Sequence, residues 1–158
     1  NAEIAVRLEA ARRHCEARGT VLTPLRRRVL ELLLMRGGAA KAYDLQAELR
    51  GGEMRNTGPM TVYRALEFLM ENELVHRIDA LNSFMVCNHE PGGHQHQPTL
   101  LICEVCEETS ELADDAVPGA VQRHLKKIEA GFRQTHIEIK GVCGDCGRKE
   151  SEGRHRHV

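Results

Sequence analysis

In four segments of the first half of the chain, apolar side chains recur every three to four positions, the spacing of helices with one buried face. Thr23 and Pro24 begin the second segment, a capping residue followed by a residue that fits the first helical turn. Glycines follow the first three segments, where they can end a helix. Cys15 lies on the apolar stripe of the first segment, so we expect it to be a small buried side chain. The predicted helices cover residues 2–18, 23–37, 42–49 and 60–72.

Two short strands follow the fourth helix, and the turn-prone residues 80–82 join them. Four helices and a hairpin in this order are typical of a winged helix-turn-helix. The strands are expected at residues 74–79 and 83–87.

The composition changes after Cys87, and the second half alternates strands with one helix. We therefore predict an α/β (α+β) fold, with a winged helix-turn-helix followed by a small α/β domain that contains an antiparallel sheet. The predicted strands cover residues 99–103, 109–112 and 135–141, and the helix covers residues 118–130, with Val121, Leu125 and Ile128 as its buried stripe. The predicted domains are 1–84 and 98–158, with a hinge at 85–97.

Charge and length narrow the possible functions only slightly. Residues 1–83 carry 13 Lys and Arg against 11 Asp and Glu, and residues 84–158 carry 9 against 12. This asymmetry is too mild to establish nucleic-acid binding. No apolar run is long enough to cross a membrane, so we expect a soluble, cytoplasmic protein without a membrane partner.

Cys103, Cys106, Cys143 and Cys146 form two C-x-x-C pairs with 36 residues between them. Four thiolates with this spacing can enclose one zinc ion, and such a closed cage is structural rather than catalytic. Two disulfides are an alternative, although the chain can bury a core without them and begins with no hydrophobic signal segment. A redox C-x-x-C is another alternative, but the glycines around Cys143 and Cys146 favour a metal knuckle over the helix start that a redox motif needs.

The fourth predicted helix has a polar face that could enter the major groove of DNA, with Thr61, Tyr63 and Arg64 as its contacts. Arg77 in the hairpin and the three arginines at 26–28 could add phosphate contacts. A solvated helix in a small bundle is the alternative interpretation. The hairpin directly after the helix favours DNA recognition.

Ordered motifs span nearly the whole chain: Leu22-Thr23-Pro24-x-Arg26, Ala42-Tyr43-Asp44-Leu45, Thr61-Val62-Tyr63-Arg64-Ala65-Leu66 and the paired C-x-x-C motifs. Together they closely resemble the ferric-uptake-regulator superfamily, and within it the zinc-uptake regulator branch. The resemblance implies a zinc-responsive repressor, not an enzyme, that binds AT-rich inverted-repeat operator DNA as a zinc-loaded homodimer and controls zinc-uptake genes. It also implies that the second domain is a dimerisation domain whose structural zinc is bound by the four cysteines.

The same resemblance places a regulatory zinc site on His76, Cys87, His96 and Glu111. A thiolate with imidazoles and a carboxylate suits tetrahedral zinc better than iron(II), which prefers an oxygen- and nitrogen-rich shell. His94 could replace His96 as the ligand. We therefore expect two zinc ions per chain. A third metal site stays open, and its candidates are His89, His94, His124 and His136, whereas His155 and His157 are expected to be tail residues.

Other functions make different demands on the sequence. An iron or peroxide sensor of the same superfamily is the nearest alternative. A zinc enzyme of the nucleobase deaminase type would need a His-x-Glu motif and a proline directly before the first cysteine of the pair, and Ile102 precedes Cys103. A zinc-holding redox chaperone would leave the winged helix unexplained. No small-molecule substrate is expected.

Overall fold

The structure is a computed structural model that describes residues 2–89 and 97–154. The chain divides into two compact units, Asn1–His94 and Gln95–Val158, which we call the first and the second unit. Within the described ranges, no helix has both the length and the apolar character that a membrane crossing requires.

The first unit contains four helices and a hairpin, as the sequence predicts. Its second helix is capped by the Thr23 side chain, which accepts a hydrogen bond from the Arg26 amide at 3.5 Å. This helix ends at Gly37 in a left-handed conformation with φ 66°. The elements are α1 (Ala2–Ala17), α2 (Pro24–Arg36), α3 (Ala42–Gly51), α4 (Pro59–Glu71), β1 (Val75–Ile78) and β2 (Ser83–Val86).

The hairpin pairs β1 with β2 antiparallel, and His76 lies opposite Met85. Its predicted turn is a short 3-10 helix, Asp79–Leu81, followed by Asn82 in a left-handed conformation with φ 47°. Asparagine tolerates this conformation better than most residues, so the strands can reverse within a few positions.

One apolar core joins the four helices and the hairpin of the first unit. Cys15 is fully buried, as predicted. On α4 the sequence predicts an apolar stripe of Val62, Leu66, Leu69 and Met70. The first three are buried, Met70 is half-buried, and Ala65 and Phe68 extend the buried face. The opposite face of α4 stays open to solvent, and this places its polar side chains on the surface.

The second unit contains a three-stranded sheet of order β4-β3-β5. β3 and β4 pair antiparallel as predicted, whereas β3 and β5 pair parallel, so the sheet is mixed. The connection through α5 is long enough to return the chain to the end of the sheet at which β3 began. The elements are β3 (Thr99–Cys103), β4 (Thr109–Glu111), α5 (Ala116–Lys127), β5 (Ile137–Gly141) and α6 (Gly144–Arg154).

Two helices of the second unit differ from the prediction. On α5 the stripe that was expected to be buried is partly exposed: Val121 is 38% exposed, and Ile128 just beyond the helix is 56% exposed. The sequence predicts no helix at α6 and instead a polar tail over residues 151–158, whereas residues 151–154 belong to this helix. His155 and His157 lie outside the described residues.

Candidate metal centre and DNA-binding surface

Four cysteine sulfurs meet at one edge of the second sheet. Cys103 is the last residue of β3, Cys106 lies in the turn before β4, Cys143 follows β5, and Cys146 lies in the first turn of α6. Because β3 and β5 run parallel, both strands end at the same edge and bring the two C-x-x-C pairs together. The four sulfur atoms all lie within 4.8 Å of one another.

The spacing of these sulfurs fits a tetrahedral zinc ion. Sulfurs at about 2.3 Å from zinc with tetrahedral angles are about 3.8 Å apart. The Cys106 Sγ and Cys143 Sγ atoms are 3.8 Å apart. Two separate disulfides would instead place the sulfurs in bonded pairs about 2.05 Å apart. The cluster therefore favours the zinc cage over the disulfide alternative.

The helix start inside the second C-x-x-C pair corrects the sequence analysis. α6 begins at Gly144, directly after Cys143, and Asp145 in its first turn pairs with Arg148. The free N–H groups at a helix start favour negative charge, so they stabilise neighbouring thiolates. A helix start alone would also suit a redox motif. The two further sulfurs of Cys103 and Cys106 in the same cluster favour zinc.

Hydrogen bonds make the thiols of the cluster unequal. Backbone N–H groups of Cys106, Cys143 and Val105 donate to the Cys103 sulfur and lower the pKa of that thiol to about 6. The Cys143 amide nitrogen lies 3.3 Å from this sulfur. The pKa of Cys146 is raised to about 12, chiefly by a hydrogen bond with the Cys143 thiol. Cys103 thus ionises readily, and a cation in the cluster would allow Cys146 to lose its proton too.

His76 and Cys87, two predicted regulatory ligands, meet on the hairpin of the first unit. His76 lies on β1 opposite Met85, so Cys87 is its diagonal neighbour on the same face. Cys87 is buried and follows the end of β2. An imidazole nitrogen of His76 and the Cys87 sulfur lie within 4.8 Å of each other. The hairpin therefore brings together one nitrogen and one sulfur atom that could bind a metal ion.

The other two predicted regulatory ligands belong to the second unit. Glu111 ends β4 opposite Leu100, and it is buried. His96, together with its alternative His94, lies outside the described residues. The four-ligand regulatory site thus stays a prediction.

Three of the candidates for a third site lie within the described residues, each on a different segment of the chain. His124 is exposed on α5, and His89 is half-buried near the end of the first unit. In the second unit, His136 Nε2 lies 3.5 Å from Glu138 Oε1, so this candidate has an acidic neighbour. This pair leaves the third site open.

The outer face of α4 presents the predicted DNA contacts. Thr61, Tyr63 and Arg64 are exposed, and Tyr63 retains 40% of its accessible surface. Arg77 is exposed on β1, where its Nη2 donates to Asn82 Oδ1 at 3.2 Å and its Nε lies 3.2 Å from Asp79 Oδ1. These contacts direct the Arg77 side chain along the hairpin.

The arginines at 26–28 do not share one environment. Arg26 Nη1 donates to the Val21 carbonyl at 2.7 Å, and its guanidinium carbon lies 3.7 Å from the centre of the Phe68 ring. Arg28 pairs with Glu31 at 2.6 Å. Arg27 is exposed. Arg26 thus links α2 to α4, and of the three Arg27 best fits a phosphate contact.

Two contacts that affect the candidate sites have no local signal in the sequence. Arg26 meets Phe68 across two helices, and Arg7 Nη2 donates to the Cys87 carbonyl at 2.8 Å although the two residues are 80 positions apart. Periodicity describes neighbours within one element, so it does not reveal such pairs. For these contacts the sequence offers one hint, which is that Arg26 lies beside the capped start of α2.

Comparison with known proteins covers both units. The model of the ferric uptake regulator family matches residues 17–148. The chain is 35% identical over 144 residues to the zinc uptake regulation protein of Escherichia coli (strain K12). The aligned residues cover 91% of this chain and 83% of that protein. It is also similar to a solved zinc uptake regulator complexed with zinc and DNA, with TM-score 0.82, 34% identity, and coverage of 94% of this chain and 97% of that chain. The crystal structure of holo XcZur matches with TM-score 0.76 and 37% identity over 89% of this chain and 96% of that one.

Proposed function

This chain belongs to the ferric uptake regulator family, and we propose that it is a zinc-responsive transcriptional repressor that controls zinc-uptake genes. The observation that carries the proposal is the presence, in one chain, of a winged helix with an exposed polar face and a four-sulfur cluster that fits a zinc ion. The similar protein of Escherichia coli is named for zinc uptake regulation, and a similar solved structure contains zinc and DNA.

Zinc is proposed to serve two purposes in this protein. The cage of Cys103, Cys106, Cys143 and Cys146 would hold one ion permanently, because four protein ligands leave no position for exchange with substrate or water. A second ion would bind His76, Cys87, His96 and Glu111 and report the zinc level of the cell. The proximity of His76 and Cys87 supports this second site, since a nitrogen and a sulfur ligand suit zinc.

For DNA, we propose that α4 enters the major groove and that the hairpin contacts the backbone beside it. Arg64 and Tyr63 would reach base edges or phosphates, Thr61 would donate to the backbone, and Arg77 would add a phosphate contact from the hairpin. The exposure of these side chains on two adjacent elements supports this assignment. The operator is expected to be an AT-rich inverted repeat.

The operator's symmetry requires two copies of the chain, and the second unit has the surface for dimerisation. Several large apolar side chains of this unit are exposed, among them Val121, Ile128 and Phe132, and such a surface is typical of a protein interface. Zinc at the regulatory site would then favour the arrangement of the dimer that fits both half-sites. A coupling of about 1 to 3 kcal/mol between metal and operator binding suffices for such a response.

The proposal is tested by titrating operator binding with buffered zinc and, under anaerobic conditions, with iron(II). We expect zinc to promote binding at a lower free concentration than iron(II), because Cys87 supplies a thiolate ligand. The paired replacement of His76→Ala and Cys87→Ala should abolish the zinc response and leave a folded dimer with one zinc per chain.

The matched control for this pair is His157→Ala with Cys15→Ala, since it removes one histidine that is expected in the tail and one buried cysteine outside both proposed zinc sites. The control should respond to zinc as the unmodified protein does. An undiminished zinc response in the His76 and Cys87 variant would contradict the proposed regulatory site, and a stronger response to iron(II) would favour an iron sensor.

A further inference from the structure

Arg7 connects the first helix to the backbone of a proposed zinc ligand. It lies on α1, is half-buried, and donates through Nη2 to the Cys87 carbonyl at 2.8 Å. A hydrogen bond from a charged guanidinium is stronger than one between neutral groups, and its geometry is more restricted. Arg7 therefore restrains the position of Cys87.

The backbone of Cys87 is held from both sides. Its amide donates to the Leu74 carbonyl at 3.0 Å, which extends the hairpin pairing one residue beyond β2. Its carbonyl accepts the bond from Arg7. With both groups bonded, the Cα–Cβ direction of Cys87 is set by the hairpin on one side and by α1 on the other.

The surroundings of this bond strengthen it. Arg7 and Cys87 both line a cleft of about 180 Å³ whose other walls are largely apolar, with Val6, Leu30 and Leu34 among them. Water competes less for a hydrogen bond beside apolar side chains, so the bond restrains the carbonyl more than it would in open solvent.

We propose that Arg7 is a positioning residue of the regulatory site: it holds the Cys87 backbone so that the thiolate and the His76 imidazole can bind the same zinc ion. The inference rests on the proposed function, in which both of these residues are ligands. Groups that orient metal ligands without touching the metal commonly contribute a factor of about 10 to 100 in metal affinity.

The test uses the full-length chain and the variant Arg7→Met, because methionine keeps an apolar stem in the cleft and removes the donor. We expect the free zinc concentration at half-maximal operator binding to rise about tenfold, with the same binding at saturating zinc. The matched control is Arg13→Met on the same helix. Arg13 is 74% exposed and pairs with Glu9, so its loss should not move the midpoint.

Two quantities distinguish a positioning residue from a merely structural one: the free zinc concentration at half-maximal operator binding, and the operator binding at saturating zinc. A destabilised protein would lose operator binding at saturating zinc and would unfold at a lower temperature, whereas a repositioned ligand changes only the zinc needed. If Arg7→Met fails to fold, Arg7→Gln, which removes the charge, takes its place with the same expected shift. An unchanged midpoint in the folded Arg7 variant, or an equal shift in Arg13→Met, would overturn the proposal.

The failure of this inference is distinguishable from failure of the proposed function. If the His76 and Cys87 variant loses its zinc response while the Arg7 variant keeps the original midpoint, only the role of Arg7 is wrong. If the His76 and Cys87 variant still responds to zinc, the regulatory site itself is wrong, and the role of Arg7 falls with it.

Discussion

Two adjacent arginines on α2 show how neighbouring residues of one type can differ in function. Arg26 stacks on the Phe68 ring at 3.7 Å and bonds to the Val21 carbonyl, so its charge is used inside the first unit. Arg27 points its charge toward solvent. A contribution to stability is thus expected from Arg26, and a contribution to DNA affinity is expected from Arg27.

We predict that Arg26→Met lowers the free energy of unfolding by about 1 to 2 kcal/mol, because it removes a cation–π contact and a charged hydrogen bond. Arg27→Met should change stability by less than about 0.5 kcal/mol. It should instead weaken operator binding and reduce the slope of log affinity against log salt by about 1. Urea unfolding and operator binding at several salt concentrations measure both effects, and the reverse assignment would show the opposite pattern.

The sequence predicts the elements that carry their own local signal, either a capping residue at an end or an apolar period along one face. Thr23 and Pro24 identify the start of α2, and apolar periodicity identifies the buried face of α4. The parallel pairing of β5 and the start of α6 depend instead on contacts across the second unit. No local pattern contains that information. The glycines beside Cys143 favoured a loop over a helix start, and this was wrong. Glycines are compatible with both structures, and thiolates beside the free N–H groups favour the helix start.

We expect α6 to depend on zinc. Cys146→Ser should remove the structural ion, and without it the amides of residues 147–149, which bond to carbonyls one turn back, should lose their protection from hydrogen exchange. Arg148→Ala is the matched variant, since it breaks the pair with Asp145 in the same turn, leaves the four cysteines in place and should keep the zinc. Protection that survives in Cys146→Ser would show that α6 forms without the cage. Hydrogen exchange with mass spectrometry, together with zinc analysis, provides the measurement.

The two units contain different parts of the proposed chemistry. The first unit contains the exposed polar face of α4 and the pair of His76 and Cys87, and the second contains the four-sulfur cluster. The proposed zinc ions therefore differ in their ligands. A cage of four thiolates exchanges its metal slowly, whereas a mixed site can release zinc under conditions that leave the cage intact.

Metal analysis should find two zinc ions per chain in the untreated protein. Mild chelation should remove one of them and abolish operator binding, and renewed addition of zinc should restore it. The remaining ion should resist the chelator until the protein is denatured. Finding a single ion that cannot be removed without unfolding would contradict the division into a structural and a regulatory zinc. The measurement is the zinc content before and after chelation, with operator binding followed on the same samples.

Because β3 and β5 run parallel and end at the same edge of the sheet, the zinc cage would also crosslink the chain. The ion would join Cys106 to Cys143 and so close a loop that contains α5 and the exposed residues 128–133. Closing such a loop reduces the freedom of the unfolded chain in the manner of a disulfide, but reversibly and without an oxidant. A protein cleaved by a protease within residues 128–133 would consequently stay in one piece for as long as it keeps its metal.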